Sequence, residues 1–271
     1  MALSAYPSSC DSDSRERSEG HDHTFHIMSP EPMLLVLVRR AEPLASVAAN
    51  RALVGRNRSR TDPTAGRFTR GEVSGLVSDA FDRFESHRLD LPSEPTVGSR
   101  QNVMLAALTL SLMEVLVEAG VERPYAIELT GDTCWHFYRQ WGRVTKAVTS
   151  VLSRNPIRRL RLSVDAFLTY PFGRPGYRFD DVPEDDGRSL NMLRCPVADY
   201  LGQRGASDLC SGSWCNLDYA LAEMWGGTLE RSSTLVLGAD CCDFRFHVLP
   251  IQGQAPGHVS TAAKPQVQAV P

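Results

Sequence analysis

The feature that most limits how this chain folds is an apolar run, VMLAALTLSLMEVLV, over residues 103–117. Its only charge is Glu114, and Gly120 lies just beyond it. The run is shorter than the roughly 20 apolar residues that a membrane-spanning helix needs. A helix that is apolar nearly all round is typical of a protein core. We therefore predict a buried core helix over residues 101–119 and no membrane-spanning segment.

Both ends of the chain have a different composition. Residues 1–32 and 252–271 contain many polar residues and prolines but few core-forming residues. Such segments bury too little apolar surface to offset the entropy lost on ordering, so both are predicted to be disordered tails. The remaining residues, 33–251, suffice for a single domain with a sizeable core. The whole chain is 42% hydrophobic and 23% charged, which is ordinary for a globular protein.

The first half of that domain has helical periodicity. Apolar residues at helical spacing predict a helix over 71–88, and further helices are predicted over 33–54 and 132–153. Asp132 is a favourable N-cap for the last of these. The segment 55–70 contains proline, glycine and scattered arginines and is predicted to be a loop.

Beyond Pro156 the pattern changes to short apolar runs separated by glycine and proline. Strands are predicted over 159–172, 189–195, 228–238 and 240–249, short helices over 196–205 and 213–225, and a polar loop over 173–187. Because helices come first and strands later, we predict an α+β fold. In this fold an N-terminal helical layer packs on a small antiparallel sheet formed mainly by the C-terminal third.

Cys195 is the first candidate for chemistry. Pro196 favours the first position of a helix, which makes Cys195 the N-cap. A thiol at a helix N-terminus lies near unpaired amides and the positive end of the helix dipole, which lower its pKa. The sequence therefore predicts a nucleophile here, the alternative being a small apolar residue that fills a corner between strand and helix.

Cys215 and Asp218 form a second candidate pair. They are three residues apart on a predicted helix and so share one face. A thiol beside a carboxylate is suited to act as nucleophile and base, or as two metal ligands. A third interpretation is that Asp218 is buried in an ion pair with an arginine, because an unpaired buried carboxylate is costly.

The last predicted strand divides its side chains between two faces. Cys242, Phe244 and Phe246 share one face, and Asp243 and Arg245, together with Cys241 and His247, share the other. The second set is able to line a polar pocket, and Asp243 is then a candidate catalytic group. The same set also suits the solvent face of an antiparallel sheet.

Charge and cysteine content limit the partners. A net charge of −3 argues against binding to nucleic acid or to an acidic membrane surface, which leaves small molecules or proteins. Seven cysteines without a secretory signal favour reduced thiols in a cytoplasm. Cys195, Cys210, Cys215 and Cys242 lack CxxC spacing, so no metal or other cofactor is predicted.

The C-terminal motifs resemble a known family. CPVADYL at 195–201 and DLCSGSWCNLDYALAEMWGGTLERSSTLVLGADCCDFRF at 208–246 are similar to the ending of the bacterial L-2-amino-thiazoline-4-carboxylic acid hydrolases. The family pattern is a Cys-Pro, a Cys and Asp on the next helix, an Arg-x-x-Thr-Leu strand and a CDFRF-like strand. The chain departs from it at the doubled cysteine 241–242 and at Ser233.

The resemblance implies a hydrolase that opens a thiazoline ring to a carbamoyl-cysteine or cleaves a related C–N or C–S bond. In one route the Cys195 thiolate attacks while Asp218 or Asp243 moves protons. In the other, a metal held by thiolates and a carboxylate activates water. Arg231 or Arg245 is expected to bind the carboxylate of a small substrate. The alternative to an enzyme is a small-molecule-binding or sensor domain with the same pocket.

Overall fold

The computed structural model describes Val36, Val38 and residues 40–249; both predicted tails and the ends of the predicted domain lie outside these residues. Along residues 42–249, five α-helices come first. They are α1 (Glu42–Leu53), α2 (Arg70–His87), α3 (Val97–Glu118), α4 (Arg123–Leu152) and α5 (Pro156–Thr169). The helices predicted over 71–88 and 101–119 are confirmed by α2 and α3. The described part of the one predicted over 33–54 is α1.

Helix α3 is the centre of the helical layer. Thr96 and Ser99 form a capping box at its start, and most of its apolar side chains are buried. By length and composition alone α3 is able to cross a membrane, but 67% of its most apolar window is buried inside the fold. The sequence-based prediction of a buried core helix is therefore confirmed.

Helix α4 begins nine residues earlier than the sequence predicted. Its first residue is Arg123, and Pro124 occupies the first turn, where the missing amide of proline costs no hydrogen bond. Asp132 is therefore not an N-cap; it lies within the helix and accepts a hydrogen bond from Arg56 at 2.9 Å. Gly131 also lies within the helix, at a point where α4 packs closely on Gly212.

Residues 159–172 were predicted to be a strand, and this prediction is wrong. Residues 156–169 form α5, in which Leu160, Val164 and Phe167 recur at helical spacing and are buried. The Asn155 side chain caps the helix by accepting from the amide of Arg158 at 3.0 Å. The alternation of arginine and leucine in the sequence hid this periodicity.

A four-stranded antiparallel sheet follows. Its strands are β1 (Arg178–Val182), β2 (Gly187–Arg194), β3 (Gly227–Glu230) and β4 (Cys242–Val248), in the spatial order β1-β2-β4-β3. The predicted strands over 189–195 and 240–249 are confirmed. Strand β1 corrects the prediction that 173–187 is all loop.

The strand predicted over 228–238 ends at Glu230. After it, Asp243 accepts hydrogen bonds from the amides of Ser232 and Ser233, and the chain passes through a short 3-10 turn, Leu235–Leu237. Gly238 then adopts a positive φ of 88°, which favours glycine. Side-chain acceptors thus replace the sheet hydrogen bonds that a longer strand would make.

Three short helices lie between β2 and β3, namely α6 (Pro196–Gln203), α7 (Ser207–Gly212) and α8 (Trp214–Met224). They join two core clusters, one among the helices and one between α5, α8 and the sheet. Cys195 packs against both clusters. The predicted α+β fold, with helices packed on a small C-terminal antiparallel sheet, is confirmed.

Candidate active site

A cavity of about 110 Å³ lies where the two clusters meet. Its lining is mostly apolar and comes from α5, α6, α8 and one face of the sheet. The polar groups in the lining are few. They are the thiols of Cys195, Cys210, Cys215 and Cys242, together with Asp218, Arg231, Thr234 and Tyr177. A mainly apolar cavity with a few convergent polar groups is typical of a small-molecule site.

Helix α8 places Cys215 and Asp218 one turn apart, as their spacing predicted, and both line the cavity. Arg231, just after β3, reaches both. Its Nη1 donates to Asp218 Oδ2 at 3.1 Å, and its Nη2 donates to the carbonyl oxygen of Cys215 at 3.1 Å. The Arg231 side chain is only 7% exposed. The guanidinium also lies over the rings of Tyr219 and Phe244, at 5.1 and 5.3 Å from their centroids.

This environment changes the pKa of three groups. Burial raises the pKa of Asp218 to about 6, although Arg231 acts in the opposite direction. The pKa of Cys215 is lowered, mainly by a hydrogen bond from the Cys210 thiol and further by the charge of Arg231, against the effect of burial. The same hydrogen bond raises the pKa of Cys210. Cys215 is thus the cavity thiol that is suited to be a thiolate.

Cys195 lies at the N-cap of α6 as predicted, but its pKa is raised, not lowered. Burial is the main cause, and it outweighs the amides of Ala198 and Val197. The sequence shows that Cys195 lies at the start of a helix, but it does not show that the thiol is buried away from water. The predicted lowering of the Cys195 pKa is therefore wrong. Cys195 does line the cavity.

Strand β4 divides its side chains as predicted. Cys242, Phe244 and Phe246 line the cavity, and the set containing Asp243 and Arg245 occupies the opposite face. The structure therefore does not bring Asp243 or Arg245 to the cavity. It supports the alternative interpretation, in which the polar set is the outer face of the sheet.

Both of these residues have structural partners. Asp243 holds the turn after β3 through Ser232 Oγ at 2.6 Å and Ser233 Oγ at 2.9 Å. Burial raises its pKa and these hydrogen bonds lower it, with a lowered pKa as the result. Arg245 donates to the carbonyl oxygen of Leu190 at 3.0 Å and to Asn191 Oδ1 at 2.9 Å across β2.

Sequence reasoning missed three groups in the cavity. Tyr177 lay in a predicted loop, and Thr234 in a predicted strand, so neither had a signal. Cys210 was considered only as a zinc ligand, yet its thiol is the neighbour that most affects Cys215. The CxxxxC spacing of Cys210 and Cys215, across the junction of two short helices, is the one signal that the sequence offered.

The four cavity thiols do not form a compact ligand set. Within residues 40–249, one group of three side chains brings possible metal-ligand atoms within 4.8 Å of one another. It consists of Glu184, Asp186 and His247. These lie at the outer face and edge of the sheet, where His247 Nδ1 is 3.2 Å from Asp186 Oδ1. The cavity geometry therefore favours nucleophilic over metal-bound use of Cys215.

Comparison with known proteins agrees with the sequence motifs. The family model of L-2-amino-thiazoline-4-carboxylic acid hydrolase matches residues 143–246. No curated protein and no solved structure matches the chain. The matched segment contains Cys195, Cys215, Asp218 and Arg231. The match supports the assignment of residues 143–246 to the L-2-amino-thiazoline-4-carboxylic acid hydrolase family, which the C-terminal motifs predicted.

Proposed function

We propose that this protein is a hydrolase that opens a 2-amino-thiazoline-type ring, or cleaves a related C–N or C–S bond, in a small carboxylate substrate. The observation that carries the proposal is the placement of Cys215 one helical turn from Asp218, with Arg231 bonded to both residues, in the lining of a small cavity. Nucleophile, proton carrier and cation are thus adjacent, as covalent catalysis requires.

The size of the cavity supports a small ring as the ligand. An apolar cavity of about 150 Å³ holds benzene, and this one measures about 110 Å³. This volume restricts the ligand to a small molecule, because a peptide or a nucleotide is far larger than the cavity. The aromatic and aliphatic lining suits the ring, and the polar groups suit its amidine.

In the proposed reaction the Cys215 thiolate adds to the amidine carbon. The ring bond from this carbon to sulfur or nitrogen then breaks, and its electron pair stays with the departing atom, which takes a proton from Asp218. Water next adds to the carbon that is bound to Cys215; one of its protons returns to Asp218, and the other passes to the nitrogen of the C=N bond to which the water adds. Loss of the Cys215 thiolate gives the carbamoyl product, so one water is added in total and no ammonia is released.

Arg231 has a different role in this proposal from the one expected from the sequence. Its Nη1 and Nη2 already donate to Asp218 and to the carbonyl of Cys215. We therefore assign it to stabilising the Cys215 thiolate and positioning Asp218, rather than to binding the substrate carboxylate. Asp243 and Arg245 have no part in the reaction, because they lie on the outer face of the sheet.

The experiment is to incubate the purified protein with L-2-amino-thiazoline-4-carboxylic acid and to follow the addition of one water by mass spectrometry. Cys215→Ser is expected to lower the rate at least about 10³-fold. Cys134→Ser is the matched control, because Cys134 packs in the helical layer and contacts Thr109 at 3.5 Å. Binding without turnover in the wild type would show a binding domain. A fully active Cys215→Ser variant that chelators inactivate would show metal-activated water instead.

A further inference from the structure

Three buried side chains are linked by hydrogen bonds, and one of them, Tyr177, is among the residues that line the cavity. Tyr138 in α4 donates to Asn102 Oδ1 at 3.2 Å, and Asn102 Nδ2 donates to the Tyr177 hydroxyl at 2.9 Å. Asn102 in α3 is 0% exposed and Tyr177 is 1% exposed. Burying polar groups in an apolar core is costly unless each is paired. We therefore examine how each donor and acceptor of these three side chains is used.

The donor and the acceptor of each of these hydrogen bonds follow from the hydrogens that the three side chains carry. Tyr138 uses its hydroxyl hydrogen on Asn102, whose amide nitrogen then acts on Tyr177. An amide nitrogen only donates, so the Tyr177 oxygen must be the acceptor. The hydroxyl hydrogen of Tyr177 has no acceptor within residues 40–249. It is a fixed donor that the described part of the protein does not use.

Tyr177 and Cys195 both line the cavity. Burial raises the pKa of Tyr177 well above its ordinary value, so the hydroxyl stays protonated and remains a donor. Cys195 is also the N-cap of α6, and the positive end of this helix favours a negative charge nearby. This part of the cavity therefore combines a hydroxyl donor with the N-terminal end of a helix, and both are suited to a hydrogen-bond acceptor on the ligand.

We propose that Tyr177, held by Asn102 and Tyr138, donates a hydrogen bond to the carboxylate of the bound substrate and so decides which rings the cavity accepts. The inference rests on the proposed function, in which the ligand is a small carboxylate. It explains how that carboxylate is recognised although Arg231 is occupied by Asp218 and Cys215. A hydrogen bond to an ionised acceptor is roughly twice as strong as one between neutral groups.

The test is a binding measurement by titration calorimetry in a Cys215→Ala background, with two ligands. One is L-2-amino-thiazoline-4-carboxylic acid, and the other is 2-amino-2-thiazoline, which lacks the carboxylate. Tyr177→Phe is expected to weaken binding of the carboxylate about 10-fold or more and to leave binding of the second ligand unchanged. Tyr138→Phe is the matched control, because Asn102 still donates to Tyr177; less than a three-fold effect is expected.

Asn102→Asp gives a second variant that keeps both tyrosines. The new carboxylate accepts from Tyr177 and so withdraws its hydrogen from the cavity, with the same selective loss expected. Equal affinity of the parent and Tyr177→Phe for the carboxylate ligand would overturn the inference. If Tyr177→Phe selectively weakens binding of the carboxylate ligand, but the protein with Cys215 intact does not hydrolyse this ligand, the role of Tyr177 is supported and only the proposed reaction is refuted. If neither ligand binds, both the proposed function and the role of Tyr177 are overturned.

Discussion

Arg231 Nη1 lies 3.1 Å from Asp218 Oδ2, and this ion pair is part of the lining of a mainly apolar cavity. The arginine side chain is 7% exposed and that of the aspartate 28%. Two charges taken out of water in this way depend on one another, because each pays for the desolvation of its partner. The pair therefore connects the stability of the fold with the chemistry of Cys215.

Removing the cation should be strongly destabilising. We expect Arg231→Met to lower the free energy of unfolding by about 3 kcal/mol, because it leaves Asp218 buried without its partner. Urea unfolding followed by circular dichroism measures this. A double variant with Asp218→Asn should lose less than the sum of the two single variants. Strict additivity would show that the two residues do not depend on each other.

The raised pKa of Asp218 predicts a pH dependence of stability. The folded pKa, about 6, lies above the ordinary 3.8, so the folded state holds this proton more tightly than the unfolded state. The contribution to stability is full below pH 4 and is lost as the pH rises through 6, in total about 3 kcal/mol. The difference in urea midpoint between the wild type and Asp218→Asn should fall over this range. A flat difference would contradict the raised pKa.

The activity should depend on the same group. If Asp218 delivers the proton to the departing ring atom, kcat/KM falls as the pH rises past about 6. Asp218→Asn should lose this limb of the pH profile and about 10² to 10⁴ in rate. The measurement is a pH series with L-2-amino-thiazoline-4-carboxylic acid. An unchanged limb in the variant would assign the titration to another group.

The thiols should differ in reactivity. Cys215 has a lowered pKa, whereas burial raises that of Cys195 and raises that of Cys134 to about 11. Iodoacetamide at mildly acidic pH, followed by peptide mapping, should therefore modify Cys215 first among these three. Arg231→Lys keeps the charge and should retain most of this reactivity, whereas Arg231→Met should lose the part that the charge supplies, because Cys210 remains beside Cys215. Modification of Cys195 first would restore the interpretation based on the helix dipole.

Two helical glycines provide a matched test of packing. A Cβ on Gly98 in α3 would lie 2.9 Å from Cα of Pro171, closer than real contacts allow, whereas a Cβ on Gly75 in α2 meets nothing within 4 Å. Gly98→Ala is expected to destabilise the protein by about 1–3 kcal/mol. Gly75→Ala is expected to stabilise it by about 0.5–1 kcal/mol, because alanine favours the helix. Thermal unfolding of both variants compares them directly.

Local signals were sufficient for much of the fold. The apolar run of α3, the proline at the start of α6 and the alternation in β4 each act within a few residues, and each prediction is confirmed. Helix α5 was mistaken for a strand because its arginines alternate with leucines, although its Asn-Pro start is a helix cap. Strand β1 was missed because its side chains are largely charged, and pairing with β2 supplies its hydrogen bonds.

The site was less accessible from the sequence. Spacing on one helix placed Cys215 beside Asp218 correctly. The pKa of Cys195 depended on burial by distant residues, which no local motif encodes. The same applies to Arg231, whose pairing with Asp218 arises from the path of the chain after β3. The Tyr177 hydroxyl is bonded to Asn102 in α3, a residue far away in the sequence, so no local pattern indicates its position.

Helix α4 runs without interruption from Arg123 to Leu152, and the match to the family model starts inside it, at residue 143. At the adjacent residue Gly142, the carbonyl oxygen accepts from Trp225 Nε1 at 3.1 Å, which ties the helix to the lining of the cavity. A chimera that contains only residues 143–246 of this protein would cut helix α4 in two and would lack Tyr138. Any host for that graft must contribute an equivalent helix of its own.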